Sequence, residues 1–189
     1  MKEKEFKIYT KGGDYGKTSL TGGTRIDKYD LQVEAYGSID ECKSYLGLVY
    51  DYVDDMISKR NLLIIIEKLF IAESLVSADS EKTLEKMPQL SEDDIEFLEK
   101  DIDRMNKILS PLKAFILPGG HPMISHCHIA RSICRRAERA CLRYGVEKEL
   151  PPLVGKYLNR LSDFLFVLAR YSAKKLDVDE LLWLPKTKK

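Results

Sequence analysis

The stretch ARSICRRAERACLRY, residues 130–144, decides the fold class, because its small and apolar residues recur at the spacing of a helix. At about 100° per residue, one arc of that helix collects the residues suited to a core: Ala130, Ile133, Cys134, Ala137, Ala140, Cys141 and Tyr144. The adjoining arc collects the charged residues: Arg131, Arg135, Glu138 and Arg139, with Arg136 just beyond. The pattern predicts an amphipathic helix whose buried face lies beside a strip of guanidinium groups.

The residues around this helix define its limits. The segment LPGGHP, residues 117–122, cannot continue a helix, whereas Pro122 suits a first helical position, so the helix is expected over residues 122–145. Ser91, followed by three acidic residues, is the expected N-cap of another helix. Apolar periodicity predicts the remaining helices over residues 35–53, 61–77, 91–110 and 151–176.

These helices and their short connections predict an all-α fold, a five-helix up-and-down bundle. The 189 residues include 44% hydrophobic residues, enough for one core without surplus for a second, so we expect a single domain. Within it we assign residues 1–30 to an extended glycine-rich arm, 31–176 to the helical bundle and 177–189 to a C-terminal tail.

The charge balance argues against several classes of partner. Lys and Arg number 31 against 30 Asp and Glu, so a net charge of +1 gives no general attraction to nucleic acid or to an anionic membrane. The charged N-terminus lacks the apolar region of a signal peptide, and no run approaches the ~20 apolar residues that span a bilayer. We expect a cytoplasmic protein in which any anion site is local.

Cysteine and histidine raise the question of a metal site. Cys127, Cys134 and Cys141 recur every seven residues on one helix face, and the chain has no CxxC pair. Three histidines lie near the start of the same helix: His121, His126 and His128. Side chains two residues apart diverge on a helix, so buried packing explains the cysteines better, and a zinc or iron ligand set is the alternative.

The arm contains TKGGDYGKTSLTGG, residues 10–23, which has the composition of a phosphate-binding loop. It is not a Walker A motif, because Lys11 stands where that motif needs glycine and residues 20–23 break the helix that it needs. Glycine backbone N–H groups can still approach an anion, with side-chain donors from Thr10, Lys11, Lys17, Thr18, Ser19 and Lys28. An anion-binding arm and an ordinary flexible terminus both remain open.

Polar residues on other helices suggest partners for the guanidinium strip. Four arginines within residues 131–139 repel one another by roughly a few tenths of a kcal/mol per i,i+4 pair unless anions neutralise them. An anion site, a solvated basic face and an RNA-binding surface are the alternatives, and the near-neutral charge argues against RNA.

On the last helix, Asn159, Asp163 and Arg170 share a line, with Arg160 adjacent, and are expected to pair with one another, with the arginine helix or with a ligand. Asp40 is expected to meet a guanidinium.

No arrangement typical of a protein nucleophile is present, neither Ser-His-Asp nor Cys-His nor HExxH. The residues therefore favour phosphate-anchored transfer, in which another molecule supplies the nucleophile. Five blocks follow one another along the chain: YTKGGDYG (9–16), AYGSIDE (35–41), FILPGG (115–120), RSICRRAER (131–139) and YLNRLSDF (157–164). In this order they resemble the PduO-type ATP:corrinoid adenosyltransferases, also called cob(I)alamin adenosyltransferases, over nearly the whole chain.

The resemblance implies an enzyme that transfers the 5′-deoxyadenosyl group of ATP to cob(I)alamin, forming adenosylcobalamin and releasing triphosphate. It implies a homotrimer with ATP at the subunit interfaces, and as further partners a flavoprotein reductase and a cobalamin-dependent enzyme. A non-catalytic module that binds ATP or corrinoid is the alternative.

The resemblance also implies roles for individual residues. ATP would be bound by Thr10, Lys11, Gly12, Gly13, Thr18, Ser19, Lys28, Arg135, Arg136, Ala137, Glu138, Arg139 and Asn159. Arg131 would pair with Asp40 across the interface, and Arg131, Arg135, Asp40 and Phe115 would be the catalytic residues. Phe115 would help to displace the lower ligand of cobalamin, leaving a four-coordinate cobalt that is easier to reduce. Asp163 and Phe166 would contact the corrinoid, and Glu138 would hold Mg²⁺ together with the ATP phosphates.

Two departures from the family pattern stand close to these residues. Cys42 and Lys43 replace the usual leucine and asparagine or serine, and Asp30-Leu31 stands where Asp-x-Arg is common. We expect them to alter interface contacts or partner choice without abolishing activity.

Overall fold

The computed structural model describes residues 7–9 and 11–184, so Thr10 of the expected ATP site lies outside the described residues. The helices are α1 (Leu31–Tyr52), α2 (Met56–Val76), α3 (Glu81–Leu84), α4 (Glu92–Asn106), α5 (Pro122–Glu147) and α6 (Val154–Lys175). Strand β1 (Lys17–Ser19) pairs antiparallel with β2 (Arg25–Asp27), and β3 (Phe115–Ile116) with β4 (Leu182–Trp183). The five long helices confirm the predicted all-α bundle, and α3 is a short addition.

The long helices alternate in direction, which gives the bundle two distinct ends. Helix α5 runs antiparallel to α1, because Cys141 lies near the Ala35 carbonyl while His126 meets Tyr45. Helices α4 and α6 run in parallel, as the Lys156–Glu92 ion pair near their N-termini indicates. We call the end at the start of α1 the arm end, and the end at the last turn of α6 the tail end.

The core lies along the apolar faces of the long helices. Cys42, Cys127, Cys134 and Cys141 are all fully buried, which confirms the prediction that the cysteines pack in the core. Burial raises the pKa of Cys127 and of Cys141 to about 12, so these thiols stay protonated in the core. Among the described helices, none is long and apolar enough to cross a membrane.

Side-chain caps explain why two helices begin earlier than apolar periodicity indicates. The Asp30 carboxylate accepts the Gln32 N–H at 2.8 Å, so α1 starts at Leu31 rather than near residue 35. The Asp55 carboxylate accepts the Ser58 N–H at 2.9 Å, and α2 starts at Met56 rather than near residue 61. The expected caps elsewhere are present: Ser91 and Asp94 form a capping box, and Pro122 opens α5.

The arm is a folded hairpin fastened to the bundle rather than a simple extended segment. Leu20 is buried, the Thr21 N–H donates to the Ser77 carbonyl at 2.9 Å, and the two side-chain hydroxyls lie 2.8 Å apart. Gln32 of α1 donates from its side-chain amide to the carbonyls of Val76 and Ala78. These bonds fix the base of the arm where α1 begins and α2 ends.

The tail folds back over the tail end and closes a second hairpin. The Leu117 N–H donates to the Leu181 carbonyl at 2.7 Å, just beyond the β3–β4 pairing. Gly119 and Gly120 have φ of 139° and 94°, and a Cβ on Gly120 would lie 3.2 Å from the Val178 side chain. Gly119 and Gly120, which prevent a helix from continuing through residues 117–122, therefore also leave room for the tail to pack against this segment.

Candidate active site

The charged face of α5 combines free and paired guanidinium groups. Arg135 and Arg139 are exposed, and neither has an ion-pair partner among residues 7–9 and 11–184. Arg136 instead pairs with Glu41 of α1, at 2.5 Å between Nη2 and Oε2. Sequence reasoning did not find Glu41 as a partner, since only the packing of α1 on α5 brings the two charges together.

Glu138 links the arginine helix to α6. Its Oε1 accepts a hydrogen bond from Asn159 Nδ2 at 2.9 Å, which is one of the pairings expected for the polar line of α6. The bond leaves the other carboxylate oxygen of Glu138 available. One carboxylate beside free guanidinium groups suits a phosphate chain with a divalent cation, because Mg²⁺ usually keeps several waters and takes phosphate oxygens as ligands.

Arg131 is half-buried and incompletely bonded. Its Nε is buried and has no hydrogen-bond partner in the described part of the chain. A buried donor without an acceptor is costly, so this N–H needs an oxygen from another molecule. The expected partner Asp40 lies on α1, where its exposed carboxylate pairs with Lys43 at 2.9 Å, so the guanidinium contact expected for Asp40 is not made among the residues that the structure describes.

Lys43, one of the departures from the family pattern, connects two carboxylates. Its ammonium forms ion pairs with Asp40 and with Glu73 of α2, and lies 5.0 Å from the centroid of the Phe70 ring. Burial lowers the pKa of Lys43, but the hydrogen bonds that its ammonium donates to Glu73 and Asp40 outweigh burial and raise the pKa above its ordinary value. The lysine stays charged and holds Asp40 on the surface of α1.

The arm brings together most of the donors predicted for it. Arg25 Nη2 donates to the Gly12 carbonyl at 2.5 Å and Nη1 to the Ser19 hydroxyl at 3.3 Å. A Cβ on Gly13 would lie 3.0 Å from Lys28 Nζ, so that ammonium rests against the Gly12-Gly13 backbone. Thr18 and Ser19 lie in β1 opposite β2. The sequence analysis did not name Arg25. Its position opposite Ser19 in the hairpin allows its guanidinium to hydrogen-bond to Gly12 and Ser19.

Asp79 anchors the arm hairpin to the bundle. Its carboxylate accepts hydrogen bonds from the Thr24 hydroxyl at 2.7 Å, the Thr24 N–H at 3.2 Å and the Thr83 hydroxyl at 2.8 Å. These bonds, those of Thr24 first, lower the pKa of Asp79 to about 2. A side chain on Gly22 (φ 119°) would collide with this carboxylate. No sequence pattern pointed to Asp79, because it lies in an irregular connection.

The arginine face opens at the arm end into a shallow cavity of about 200 Å³. Its walls are Leu31, Glu34, Arg136, Arg139, Ala140 and Arg143. Arg139 and Arg143, together with the Arg136 that pairs with Glu41, give this end of α5 a local excess of positive charge that favours an anion.

Aromatic side chains occupy the tail end. Phe115 of β3 is 78% exposed and lies edge-on to Trp183 of β4, with ring centroids 6.2 Å apart. Phe166 of α6 is half-buried beside His128 of α5. Burial, reinforced by Arg131, lowers the pKa of His128 and keeps its ring neutral at pH 7. The family resemblance assigned Phe115 and Phe166 to the site, whereas His128 was considered only as a metal ligand and Trp183 was not named.

The other polar residues of α6 pair in two different ways. Asp163 is exposed and pairs with Arg160 at 3.2 Å, while Arg160 also lies 2.9 Å from Glu99 of α4. Arg170 is buried, and its Nε lies 2.7 Å from Glu180 of the tail. The pairing within α6 was among those expected, but the pairing of Arg170 with the tail was not, because no sequence pattern indicates how the tail folds back.

Known proteins share this architecture. A family model for cobalamin adenosyltransferase matches residues 8–172. A corrinoid adenosyltransferase of Citrobacter freundii is 38% identical over 173 residues, covering 92% of this chain and 98% of that protein. One of Bacillus subtilis is 42% identical over 170 residues, covering 87% and 85%. The structure of a variant PduO-type ATP:corrinoid adenosyltransferase from Lactobacillus reuteri, complexed with cobalamin and ATP, matches with a TM-score of 0.90 at 31% identity, covering 95% of this chain and 100% of that chain.

Proposed function

Because the chain belongs to the cobalamin adenosyltransferase family, we propose that it transfers the 5′-deoxyadenosyl group of ATP to cob(I)alamin. The electron pair of the reduced cobalt forms a bond to the ribose 5′ carbon. The bond from that carbon to the triphosphate oxygen breaks, and triphosphate leaves with the electron pair. The product is adenosylcobalamin, and the step needs no nucleophile from the protein.

The observation that carries this proposal is the free pair of guanidinium groups on α5. Arg135 and Arg139 are exposed and unneutralised within the described chain, next to the Glu138–Asn159 hydrogen bond. Triphosphate develops negative charge as it leaves, and guanidinium groups beside it would stabilise that charge in the transition state. Arg136 and Ala137 lie in the helical turn between Arg135 and Arg139, and the Arg136 side chain pairs with Glu41.

The arm supplies the second part of the nucleotide site. Lys11, Gly12, Gly13, Thr18, Ser19 and Lys28 contribute backbone donors, hydroxyls and ammonium groups in one small hairpin. Thr10 is assigned to the same site by the family pattern alone. Anchoring through Asp79 gives the hairpin a fixed base, which lowers the entropic cost of ordering it around ATP.

Mg²⁺ fits the site at Glu138. The free oxygen of this carboxylate would hold the ion together with phosphate oxygens, and the ion would neutralise part of the triphosphate charge. Positioning of the carboxylate by Asn159 is the contribution of the protein chain to that arrangement.

A homotrimer with ATP at the subunit interfaces accounts for the surroundings of Arg131 and Asp40. Arg131 Nε has no acceptor among the described residues, and the Asp40 carboxylate, although paired with Lys43, is 54% exposed on α1. A contact between Arg131 of one copy and Asp40 of the next would give this N–H an acceptor, with Lys43 orienting the carboxylate. Sedimentation velocity is expected to give three times the chain mass of 21.7 kDa, and a monomer would contradict this assembly.

The family pattern assigns the corrinoid to Phe115, Asp163 and Phe166. The exposed Phe115 ring would occupy the side of the cobalt from which the lower ligand is displaced. The cob(I) state requires a reductant and the product requires a consumer, which supports a flavoprotein reductase and a cobalamin-dependent enzyme as partners in the cytoplasm.

The proposal is tested by mixing the protein, ATP, Mg²⁺ and chemically reduced cobalamin without oxygen and following the corrin absorption spectrum. We expect the cob(I)alamin bands to be replaced by those of adenosylcobalamin, with triphosphate released in equal amount. ATP or corrinoid binding without adenosylcobalamin would instead support the non-catalytic binding module.

A further inference from the structure

The β3–β4 hairpin that carries Phe115 consists of two very short strands. Only Phe115–Ile116 and Leu182–Trp183 pair, supplemented by the Leu117–Leu181 hydrogen bond. Strands of this length have little stability of their own and need support from the elements around them. The position of Phe115 therefore depends on what holds the two segments that lead into the strands.

One buried side chain bonds to both of those segments. Arg170 of α6 is 7% exposed, and its Nη2 donates to the Ser110 carbonyl at 2.8 Å, five residues before β3 begins. Its Nε donates to Glu180 Oε1 at 2.7 Å, two residues before β4 begins. The planar guanidinium thus links α6, a rigid helix, to both segments that lead into the hairpin.

Apolar packing around this contact is incomplete. A cavity of about 420 Å³ lies between the tail and the ends of α4 and α6, and Arg170 and Glu180 line it with Leu109, Ala173, Val178 and Leu182. This cleft is open to solvent, so on this side the tail is held by its polar contacts with α6 and not by enclosure in the core. The Arg170–Glu180 ion pair is therefore a major constraint on the tail in this region.

We infer that Arg170 and Glu180 are positioning residues for the corrinoid half of the site, holding the β3–β4 hairpin so that Phe115 presents its ring to the corrinoid. This rests on the proposed function for the role of Phe115. The pair does not touch the reacting atoms, and it lies at the end of the bundle away from the arm. Its loss should impair use of the corrinoid and leave ATP binding intact.

The Glu180→Ala variant tests this inference with the smallest risk to folding, since Glu180 lies in the tail. We expect KM for cob(I)alamin to rise about tenfold, while KM for ATP stays within about twofold. The Glu180→Gln variant keeps an oxygen that accepts from Arg170 and should recover most of the loss. Glu149→Ala, at an exposed position between α5 and α6, is the matched control and should behave as wild type.

A fluorescence measurement reports on the hairpin independently of turnover. Trp183 is the single tryptophan of the chain and faces Phe115 across the strand pair. In Glu180→Ala we expect stronger acrylamide quenching of Trp183 than in wild type or Glu149→Ala. Together with the selective rise in corrinoid KM, this shows that the pair acts by holding the hairpin.

Three results would overturn the inference. An unchanged corrinoid KM in Glu180→Ala would remove the positioning role, whatever the fluorescence shows. Parallel rises in both KM values would indicate general damage to the fold instead. Unchanged quenching would show that the hairpin does not depend on the pair. If the wild type is active and any of these results is obtained, only the inference fails and the proposed function stands. If the wild type is inactive, the proposed function itself is contradicted.

Discussion

Two arginines of the α5 face and two of the tail end have opposite surroundings. Arg135 and Arg139 are exposed and have no ion-pair partner in the described chain. Arg104 pairs with the buried Asp101 and donates to Ser58 and to Tyr171, and the buried Arg170 pairs with Glu180. One group of cations is left free, while the other is fully engaged within the protein.

The difference separates binding from structural roles. A guanidinium that must be buried needs carboxylate and carbonyl acceptors, because an unpaired buried charge is strongly destabilising. Exposed guanidinium groups on one helix face cost little in water, and they gain a large interaction only when an anion displaces that water. The free arginines should therefore affect catalysis, and the paired ones stability.

The largest effect is expected from Arg135→Ala. Losing one fixed guanidinium from the triphosphate site should lower kcat/KM by a factor of about 100. The unfolding midpoint in urea should stay unchanged, since Arg135 contributes no ion pair to the fold. Steady-state kinetics from the corrin spectrum provide the measurement.

Arg60→Ala is the matched control for this prediction, because Arg60 is an exposed arginine of α2 without an ion-pair partner among the described residues. Near wild-type turnover in Arg135→Ala would refute the phosphate role of the α5 face.

Arg104→Ala is expected to lower stability without lowering turnover. Removing this side chain leaves Asp101 buried without its cation, and one Asp101 oxygen already has no hydrogen-bond partner in the described chain. The free energy of unfolding should fall by about 2 kcal/mol, less than for a fully buried pair because Arg104 is partly exposed. The measurement is urea denaturation with an unchanged m-value.

Turnover of Arg104→Ala at 25 °C should match that of wild type while the variant remains folded. A large loss of kcat without loss of stability would break the proposed division between the two groups of arginines.

The smallest effect is expected from Asp79→Asn. The Asp79 carboxylate accepts hydrogen bonds from neutral donors instead of from arginines. Its pKa is lowered to about 2, against about 3.9 in an unfolded chain. A lowered carboxyl pKa stabilises the fold above about pH 4, and the contribution disappears as pH falls through about 2. Asp79→Asn should therefore reduce Tm at pH 7, and the difference from wild type should narrow below pH 4.

Thermal unfolding across this pH range is the measurement, with Asp51→Asn at an exposed position of α1 as control. A Tm difference that persists unchanged at low pH would mean that the charge of Asp79 does not hold the arm.

Local sequence accounted for most of the helices and for the residues on the α5 face. The apolar period identified the core sides, and Pro122 and Ser91 marked two helix starts correctly. The starts of α1 and α2 were missed by several residues, because Asp30 and Asp55 act as caps before the apolar pattern begins. Caps depend on single polar side chains, which periodicity does not detect.

The sequence by itself determined the helical class, the core stripes, the arginine face and, through five ordered blocks, the family resemblance. The first three follow from local spacing along the chain, and the resemblance rests on the residues and order of the blocks. Only the tertiary structure decided which distant charges meet: Arg136 with Glu41, Lys43 with Glu73, and Arg170 with Glu180. The physical reason is that ion pairing depends on distance in space, and helix packing and chain reversal bring together residues that no local pattern connects.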